Sequence, residues 1–423
     1  MNIARSLAAI LLLTTIGCGG GAEGGGPEGE WSGTVTTEGD VTTVVNESGS
    51  VWGGDVALVE EASIGVDAGE DPYMLGQVRA LAATNDEIYL LDQQVPAVRV
   101  YDMDGRHLRD IGAKGSGPGE FTEPDSMVIG PDGRVYVRDS RGARITIFSP
   151  AGDQLGTIPL RGGYFTSTPM MIIPDGTLYN HEQVESDDPE VRLSGLVPRS
   201  MEADRSGEPL LPPDLGFDAS AWRLEARTEN MFIGSSVPFA PGTIWELAPS
   251  GAIVAGVSNE YSFEIRYPDG KVTRVVKPGE RVPVDPAEGD WYRKRTTAQM
   301  RRNVDTWVWN GENVPSVKPA YQQFIPDHSG RVWVVRPGAG QHVEGECTED
   351  PQPGEPVESC WRAPTSWEVF DDEGRFLGGV DLPEGVGSSP DPYIRGDMFL
   401  APVTDDYGTT MVKRYRLEYP GAE

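Results

Sequence analysis

A four-strand unit between Pro118 and Leu160 constrains the fold of this chain more than any other feature. Four short runs in it have strand character: Ser126–Ile129, Val135–Val137, Ile145–Phe148 and Gln154–Pro159. Turns such as Pro131-Asp132-Gly133 separate the runs, since Pro presets φ and Gly supplies φ > 0. Four short strands in about 40 residues are typical of one propeller blade. Because a lone blade cannot bury both faces of its sheet, we expect the unit to recur.

The turn spacing of this unit does recur along the chain. Three pairs of turn residues are each 19 positions apart: Asp86 and Gly105, Gly133 and Gly152, and Gly251 and Gly270. The first pair predicts a blade with strands at Val78–Ala82, Glu87–Leu91, Val98–Tyr101 and His107–Ile111. The third pair predicts a blade with strands at Thr243–Leu247, Ala252–Val257, Ser262–Tyr267 and Val272–Val276. Three blades with one internal spacing indicate a repeat architecture.

Two further blades are interrupted by insertions. The third blade has predicted strands at Met170–Ile173, Thr177–Asn180, Val191–Leu196 and Arg199–Ala203. The segment Leu210–Asn230 after it is predicted to be an irregular connection. The other has strands at Tyr321–Ile325, Arg331–Val335, Ser366–Phe370 and Arg375–Val380. A loop at about residues 337–364 is inserted between the second and third strands of this blade.

The final blade has only three strands of its own, at Tyr393–Arg395, Met398–Thr404 and Thr410–Leu417. Val56–Ile64 precedes the first blade and otherwise lacks a partner, so we expect it to supply the fourth strand. Sharing a blade between the two ends closes the ring and removes exposed sheet edges. The sequence therefore predicts an all-β, six-bladed β-propeller over residues 51–418, with a short tail at 419–423.

The first two complete blades, Leu75–Gly112 and Gly117–Leu160, resemble NHL repeats. In the second of these blades the motif residues are Gly119, Phe121, Pro124, Gly133, Val135, Tyr136, Val137, Asp139, Arg144, Ile145, Phe148 and Gly152. The first matches at Tyr89, Asp92, Arg99, Val100, Tyr101 and Gly105. The chain as a whole is similar to six-bladed propellers of the NHL and TolB-like type found on bacterial lipoproteins.

Residues 1–18 have the pattern of a targeting segment. Arg5 precedes the apolar run Leu7–Ile16, which is too short to span a bilayer. Gly17-Cys18 resembles a lipobox, in which the Cys18 thiol is lipidated; an ordinary secretory signal with an incidental cysteine is the alternative. Residues 19–50 read as a Gly-rich flexible tether. We therefore expect a lipid-anchored protein of the cell envelope. In enteric bacteria an Asp directly after the lipidated Cys retains a lipoprotein at the inner membrane. Since Gly19 stands at that position, we expect the outer membrane.

Two insertions carry features of their own. Asp285-Pro286 predicts a helix start, and residues 285–309 are expected to pack on the propeller through Trp291 and Met300, with a docking helix for an acidic partner as the alternative. Cys347 and Cys360 lie in the loop at about 337–364, where an exported protein is expected to form a disulfide.

The net charge of −31 limits the partners of this chain. Such a charge repels the phosphates of nucleic acid and anionic lipid headgroups. We therefore expect no nucleic-acid binding, and contact with the membrane only through the lipid anchor.

No catalytic constellation is visible in the sequence. Asp92 with Arg99, and Asp139 with Arg144, read as pairs that fasten their own hairpins. The four histidines are scattered, and the sequence contains no H-E-x-x-H, G-x-S-x-G or P-loop pattern. We name no catalytic residue and no metal ligand.

The function predicted from these observations is binding. A monomeric propeller would present its loops to a protein, peptide or glycan, without a cofactor. The resemblance to six-bladed propellers implies an alternative, a metal-dependent hydrolase or lyase that holds Ca²⁺ through carboxylates in the axial channel.

Overall fold

A computed structural model of the chain describes residues 29–160, 166, 168–184, 193–200, 207–228, 232–405 and 407–421. Cys18, the predicted targeting segment and the first part of the predicted tether lie outside these residues. The first described strands are β1 (Ser32–Glu38), β2 (Val41–Ser48) and β3 (Val56–Ile64). The expectation of a flexible tether through residue 50 is therefore wrong for residues 32–48. Their Thr/Val alternation forms an antiparallel hairpin that finds a partner on the propeller.

The first two blades are regular four-stranded antiparallel sheets, as predicted. The first consists of β4 (Val78–Ala83), β5 (Glu87–Asp92), β6 (Ala97–Asp102) and β7 (His107–Ile111). A short parallel pair, β8 (Ala113–Lys114) and β9 (Glu120–Phe121), connects it to the next blade. The second consists of β10 (Pro124–Ile129), β11 (Val135–Asp139), β12 (Arg144–Phe148) and β13 (Gln154–Pro159). The turn residues Gly133 and Gly152 have φ of 79° and 97°, the region in which glycine is favoured.

The third blade is less regular. It consists of β14 (Met171–Ile172), β15 (Leu178–Val184) and β16 (Leu193–Arg199), with an isolated bridge from Leu196 to Leu210 at its edge. The predicted strand Arg199–Ala203 is only partly testable, because residues 201–203 lie outside the described part. The predicted irregular connection after Leu210 instead contains a hairpin, β17 (Arg223–Arg227) and β18 (Phe232–Ser236).

The fourth blade consists of β19 (Thr243–Leu247), β20 (Ile253–Val257), β21 (Ser262–Arg266) and β22 (Val272–Val276). Helix α1 (Pro286–Arg301) follows it, and the Asp285 side chain caps the helix by accepting a hydrogen bond from the Ala287 N–H. Trp291 and Met300 are buried, as expected for a helix that packs against the body of the protein.

The last two blades form one continuous eight-stranded sheet. The fifth consists of β23 (Gln323–Pro326), β24 (Val332–Pro337), β27 (Thr365–Phe370) and β28 (Phe376–Asp381), with the hairpin β25 (Gln341–His342) and β26 (Trp361–Arg362) inserted. The sixth consists of β29 (Tyr393–Arg395), β30 (Met398–Thr404), β31 (Thr410–Glu418) and β3. The prediction that Val56–Ile64 closes the last blade is confirmed.

The N-terminal segment binds three blades together. Strand β2 pairs in parallel with β22 of the fourth blade, and β3 pairs with both β28 and β31. Buried Asn46 joins these parts. Its Oδ1 accepts hydrogen bonds from the Trp31 Nε1–H and the Phe376 N–H, both at 2.7 Å, and its Nδ2 donates to the Gly374 carbonyl at 3.0 Å.

The hydrophobic core lies between blades rather than within one sheet. Separate buried clusters join blades one and two, two and three, four and five, five and six, and six and one. Each blade alternates its side chains to both faces, so each face is buried only by a neighbour.

Candidate functional site: the axial channel

The first strands of the six blades surround a cavity of about 580 Å³ on the axis of the propeller. Strand β4 contacts both β10 and β29, β10 also contacts β14, and β19 contacts β23. The wall is mostly apolar and includes Ala80, Ala82, Met127, Ile129, Ile172, Leu247 and Ile325. A concave, largely apolar cavity with few polar groups is the usual form of a ligand site.

A second cavity of about 660 Å³ extends the channel toward one face of the ring. Both cavities are lined by Arg79, Pro169, Pro390 and Asp391, so they are adjacent, and we refer to the two together as the channel. The additional lining residues of this mouth are largely polar: Gln77, Gln93, Glu123, Asp125, Ser126, Ser140, Thr166, Thr404 and Thr410. The channel therefore changes from a polar mouth to an apolar interior.

Buried Arg138 shapes the wall of this mouth. Its Nε donates to Asp125 Oδ1 at 2.9 Å, its Nη1 to Asn180 Oδ1 at 2.9 Å, and its Nη2 to the Thr168 carbonyl at 3.0 Å. These contacts bind the second blade to the third. Ser140 Oγ also donates to Asp125, at 2.5 Å. Both oxygens of the Asp125 carboxylate thus accept hydrogen bonds from side chains of the second blade.

Two carboxylates from different blades face the channel. Glu246 lies on β19 of the fourth blade, and Asp391 lies just before β29 of the sixth. Between them in the ring, Gln323 on β23 donates from Nε2 to Asp391 Oδ1 at 2.6 Å. The described part of the chain gives the Glu246 carboxylate neither a hydrogen-bond partner nor an ion pair.

The enclosure of these two groups changes their ionisation. Burial raises the pKa of Glu246 to about 8, and the negative charge of Asp391 acts in the same direction. Burial also raises the pKa of Asp391 to about 6, against the opposing effect of the Gln323 hydrogen bond. At neutral pH the pair therefore holds close to one negative charge, with the proton on Glu246.

The other titratable groups of the channel form no ion pair with either carboxylate within the described part of the chain. Arg79 donates to Gln93 at 2.9 Å, and Arg395 donates to the Thr84 carbonyl at 2.6 Å. His328 stacks on Tyr393 with 4.5 Å between ring centroids. Burial lowers the pKa of the His328 imidazole, so it is neutral at neutral pH.

Carboxylate ligands for a metal ion do not gather in the described part of the channel. Among the described residues, one group of three has ligand atoms close enough to share a cation, namely His342, Cys347 and Glu349. That group lies in the insertion of the fifth blade, and its sulfur is bonded to Cys360. Asp327 also lines the interior of the channel, but its carboxylate forms an ion pair with Arg331 at 2.6 Å.

The predicted disulfide between Cys347 and Cys360 is confirmed, with a Cα–Cα distance of 5.0 Å. It lies close to the hairpin of β25 and β26. The Trp291 indole of α1 donates to the Thr348 carbonyl at 2.9 Å, which joins this loop to the helix. The disulfide therefore stabilises an insertion, and neither cysteine lines the channel.

In the first blade, Asp92 and Arg99 form the ion pair that the sequence predicted, at 3.8 Å. Their shorter contacts are with the backbone. Asp92 accepts from the N–H groups of Gly76 at 2.9 Å and Gln77 at 3.1 Å, and Arg99 donates to the Asp71 carbonyl at 2.6 Å. Both side chains hold the segment that leads into the blade.

In the second blade the predicted ion pair is absent, although Asp139 and Arg144 are partners in the β11–β12 register. Asp139 accepts from the N–H groups of Thr122 at 2.8 Å and Glu123 at 2.9 Å. Arg144 donates to the Gly117 carbonyl at 3.1 Å. The expected hairpin contact is corrected to two separate contacts with the segment between blades, because backbone groups there lie closer than the opposite side chain.

Sequence reasoning missed Glu246 and Asp391. The available signal was a single acidic residue in the run Thr243–Leu247, which the turn spacing had already assigned to a first strand. Asp391 gave a weaker signal, because it lies between two prolines before a three-residue strand. Neither signal shows that the two residues share a channel.

The comparisons with known proteins agree with this architecture. The DUF5128 family model, described as a 6-bladed beta-propeller, matches residues 69–187. The chain is a six-bladed β-propeller. No curated protein matches its sequence.

Solved structures with a similar fold are distant in sequence. A member of the DUF4221 family from Bacteroides vulgatus is 12% identical over 86% of this chain and 99% of its own, with a TM-score of 0.46. A Bacteroides fragilis protein whose name describes it as exported is 11% identical over 89% and 99%, with a TM-score of 0.45. An inactive variant of virginiamycin B lyase from Staphylococcus aureus is 9% identical over 92% and 99%, with a TM-score of 0.34.

No helix in the described ranges has the length and apolar character needed to cross a membrane.

Proposed function

We propose that this chain is a lipid-anchored cell-envelope protein whose propeller binds a protein, peptide or glycan through the axial channel. The observation that carries the proposal is the channel of two adjacent cavities, with its polar mouth and apolar interior. A ligand enters at the mouth and buries apolar surface deeper in the channel, where the few polar groups orient it. The metal-dependent alternative has no comparable support, because no three ligand atoms among the described channel residues lie close enough together to share a cation.

Blocking the channel tests this function. Ile129 is partly buried on β10 and lines the cavity, so Ile129→Trp should fill part of it. Leu155→Trp adds a similar ring on the outer strand β13, where Leu155 is 49% exposed. Residues 29–423 of both variants and the wild type are compared on peptide and glycan arrays, with dissociation constants measured for each bound probe.

We expect probes that bind the wild type to bind Leu155→Trp equally and to bind Ile129→Trp at least about tenfold more weakly, since lost burial of about 1.4 kcal/mol suffices for that factor. Unchanged unfolding midpoints in both variants confirm that the propeller remains folded. Equal binding by Ile129→Trp, or no binding by the wild type, would show that the channel is not a ligand site for these classes.

A further inference from the structure

The inference rests on the proposed function and concerns the ligand. We propose that Glu246 and Asp391 bind a primary ammonium group carried on an apolar stem, such as a lysine side chain or the amino end of a peptide. The site is the part of the axial channel between the fourth and sixth blades.

The first argument is that neither carboxylate has an ion-pair partner among the described residues. Two carboxylates from separate blades face one cavity, and the described residues place no Arg or Lys in an ion pair with either. Arg79 and Arg395 also line the cavity and keep their positive charge, since each donates to a neutral acceptor, but neither contacts the pair as an ion-pair partner among the described residues. A buried carboxylate that lacks a paired cation is costly, and a ligand ammonium group in direct contact with it would reduce that cost.

The second argument is the unused hydrogen-bonding capacity of Glu246. Gln323 donates to one oxygen of Asp391, whereas Glu246 has no partner among the described residues. An ammonium group has three donors and no acceptor, so it can donate to the free oxygens of Glu246 and has further donors for a second acceptor. Charge-assisted hydrogen bonds of this kind are the strong ones.

The third argument is the apolar wall around the pair. Leu247 follows Glu246 on β19, and Ile325, Met127 and Ile129 line the same cavity. These side chains suit the methylene stem of an alkylammonium group better than the hydroxyl-covered surface of a sugar. The proposal therefore favours a peptide amine over a glycan within the classes proposed above.

Protonation gives the site a distinct signature. The groups that face the pair are Arg79, Asp327, His328, Tyr393 and Arg395. Since burial raises the pKa of Glu246 to about 8, Glu246 is largely protonated at neutral pH and must release its proton when a cation binds. The affinity for an ammonium ion should therefore rise with pH until about pH 8 and then level off.

The probes are n-hexylammonium and 1-hexanol, which share a stem and differ in charge. Titration calorimetry in two buffers of different ionisation enthalpy gives both the affinity and the number of protons released. The proteins are the wild type, Glu246→Gln, Asp391→Asn and Glu384→Gln. Glu384 is exposed and lines neither cavity, so its variant is a matched control for loss of one carboxylate.

We expect hexylammonium to bind the wild type and Glu384→Gln at least about tenfold more tightly than hexanol, the factor expected for one charge-assisted hydrogen bond. Binding near neutral pH should release up to one proton. Glu246→Gln should lose the proton release and about tenfold in affinity, and Asp391→Asn should also bind more weakly.

Several results would overturn the inference. Hexanol that binds as tightly as hexylammonium, binding of neither probe, or unchanged ammonium binding by Glu246→Gln would each exclude ammonium recognition by this pair. None of these results removes the proposed function, which fails separately if Ile129→Trp leaves peptide and glycan binding intact.

Discussion

Glu246 is the residue whose chemistry depends most on its position in the ring. In an extended chain its carboxyl group has an ordinary pKa of 4.5, and in the channel its pKa is about 8. Between these values the folded protein binds more protons than the unfolded chain does. The free energy of unfolding therefore falls as the pH rises from 4.5 to 8.

Glu246→Gln should remove this dependence. Gln resembles the protonated acid, so we expect the variant and the wild type to have similar stability below pH 4.5. Above pH 8 the variant should be more stable by roughly 2 kcal/mol, less than the full pKa shift implies because the side chain is partly exposed. Urea unfolding at both pH values measures the difference. Glu384→Gln should change little at either pH, and equal behaviour of the two variants would contradict the assignment.

At the scale of elements, helix α1 joins the insertions to the propeller. Glu288 in its first turn forms an ion pair with Lys318 at 2.6 Å, and both side chains are fully buried. Gly340 lies so close that a Cβ there would be 2.4 Å from Glu288 Cδ. The helix, the segment before β23 and the start of the disulfide insertion therefore meet at one ion pair.

Lys318→Met should destabilise the protein strongly, because it leaves Glu288 buried and without its cation. Removal of one partner of a buried pair costs about 3–5 kcal/mol. Lys271→Met removes an exposed lysine whose ion pair with Asp269 lies in a turn, and should have little effect. Guanidinium unfolding of both variants measures their free energies of unfolding. A double variant Glu288→Gln/Lys318→Met should recover part of the loss; similar midpoints for the two lysine variants would contradict this role.

The exposed cations of α1 have no comparable role in the fold. Lys294 and Arg295 of the helix and Arg302 at its C-cap are exposed, and the described residues give none of them an ion pair, although Arg295 lies over the Trp291 ring. Arg293 stacks on Trp309 at 4.7 Å from the ring centroid. The helix packs on the propeller through Trp291, as the first interpretation expects. Its exposed cations fit the alternative of a docking helix for an acidic partner, which stays a hypothesis.

At the scale of the whole molecule, the N-terminal segment and the C-terminal blade depend on each other. Strand β3 is the outer strand of the last blade, and the hairpin of β1 and β2 extends the fourth. Closure of the ring in this way leaves no open edge on the last blade.

The anchoring part of the proposal is tested with Cys18→Ala, expressed with its targeting segment in a diderm bacterium. We expect the wild type in the membrane fraction and the variant in the soluble envelope fraction, because one acyl-modified cysteine provides the attachment. The double variant Cys347→Ser/Cys360→Ser keeps Cys18 and should remain with the membrane. Immunoblots of the fractions measure this, and a Cys18→Ala protein that stays in the membrane would refute lipid anchoring.

The features that could be predicted from the sequence are those set by interactions between residues close together in the chain. Strands β29, β30 and β3 were predicted at the bounds they have, because alternation and turn residues act within a few positions. The hairpin at Ser32–Ser48 was missed since its partner β22 is remote in sequence, and its Thr/Val pattern is too polar to indicate burial alone. The prediction of an Asp139–Arg144 contact was wrong because the strand register places the two residues opposite each other but does not fix which groups their side chains bind.

The sequence by itself determined the blades, their number, the closure of the ring and the disulfide, because each follows from spacing or from local conformational preference. Only the tertiary structure decided the chemistry of the axis. Glu246 and Asp391 belong to different blades, and neither has a local partner that would reveal a shared site. Their shifted pKa values arise from exclusion of water by strands of several blades, which exists only once the ring has closed.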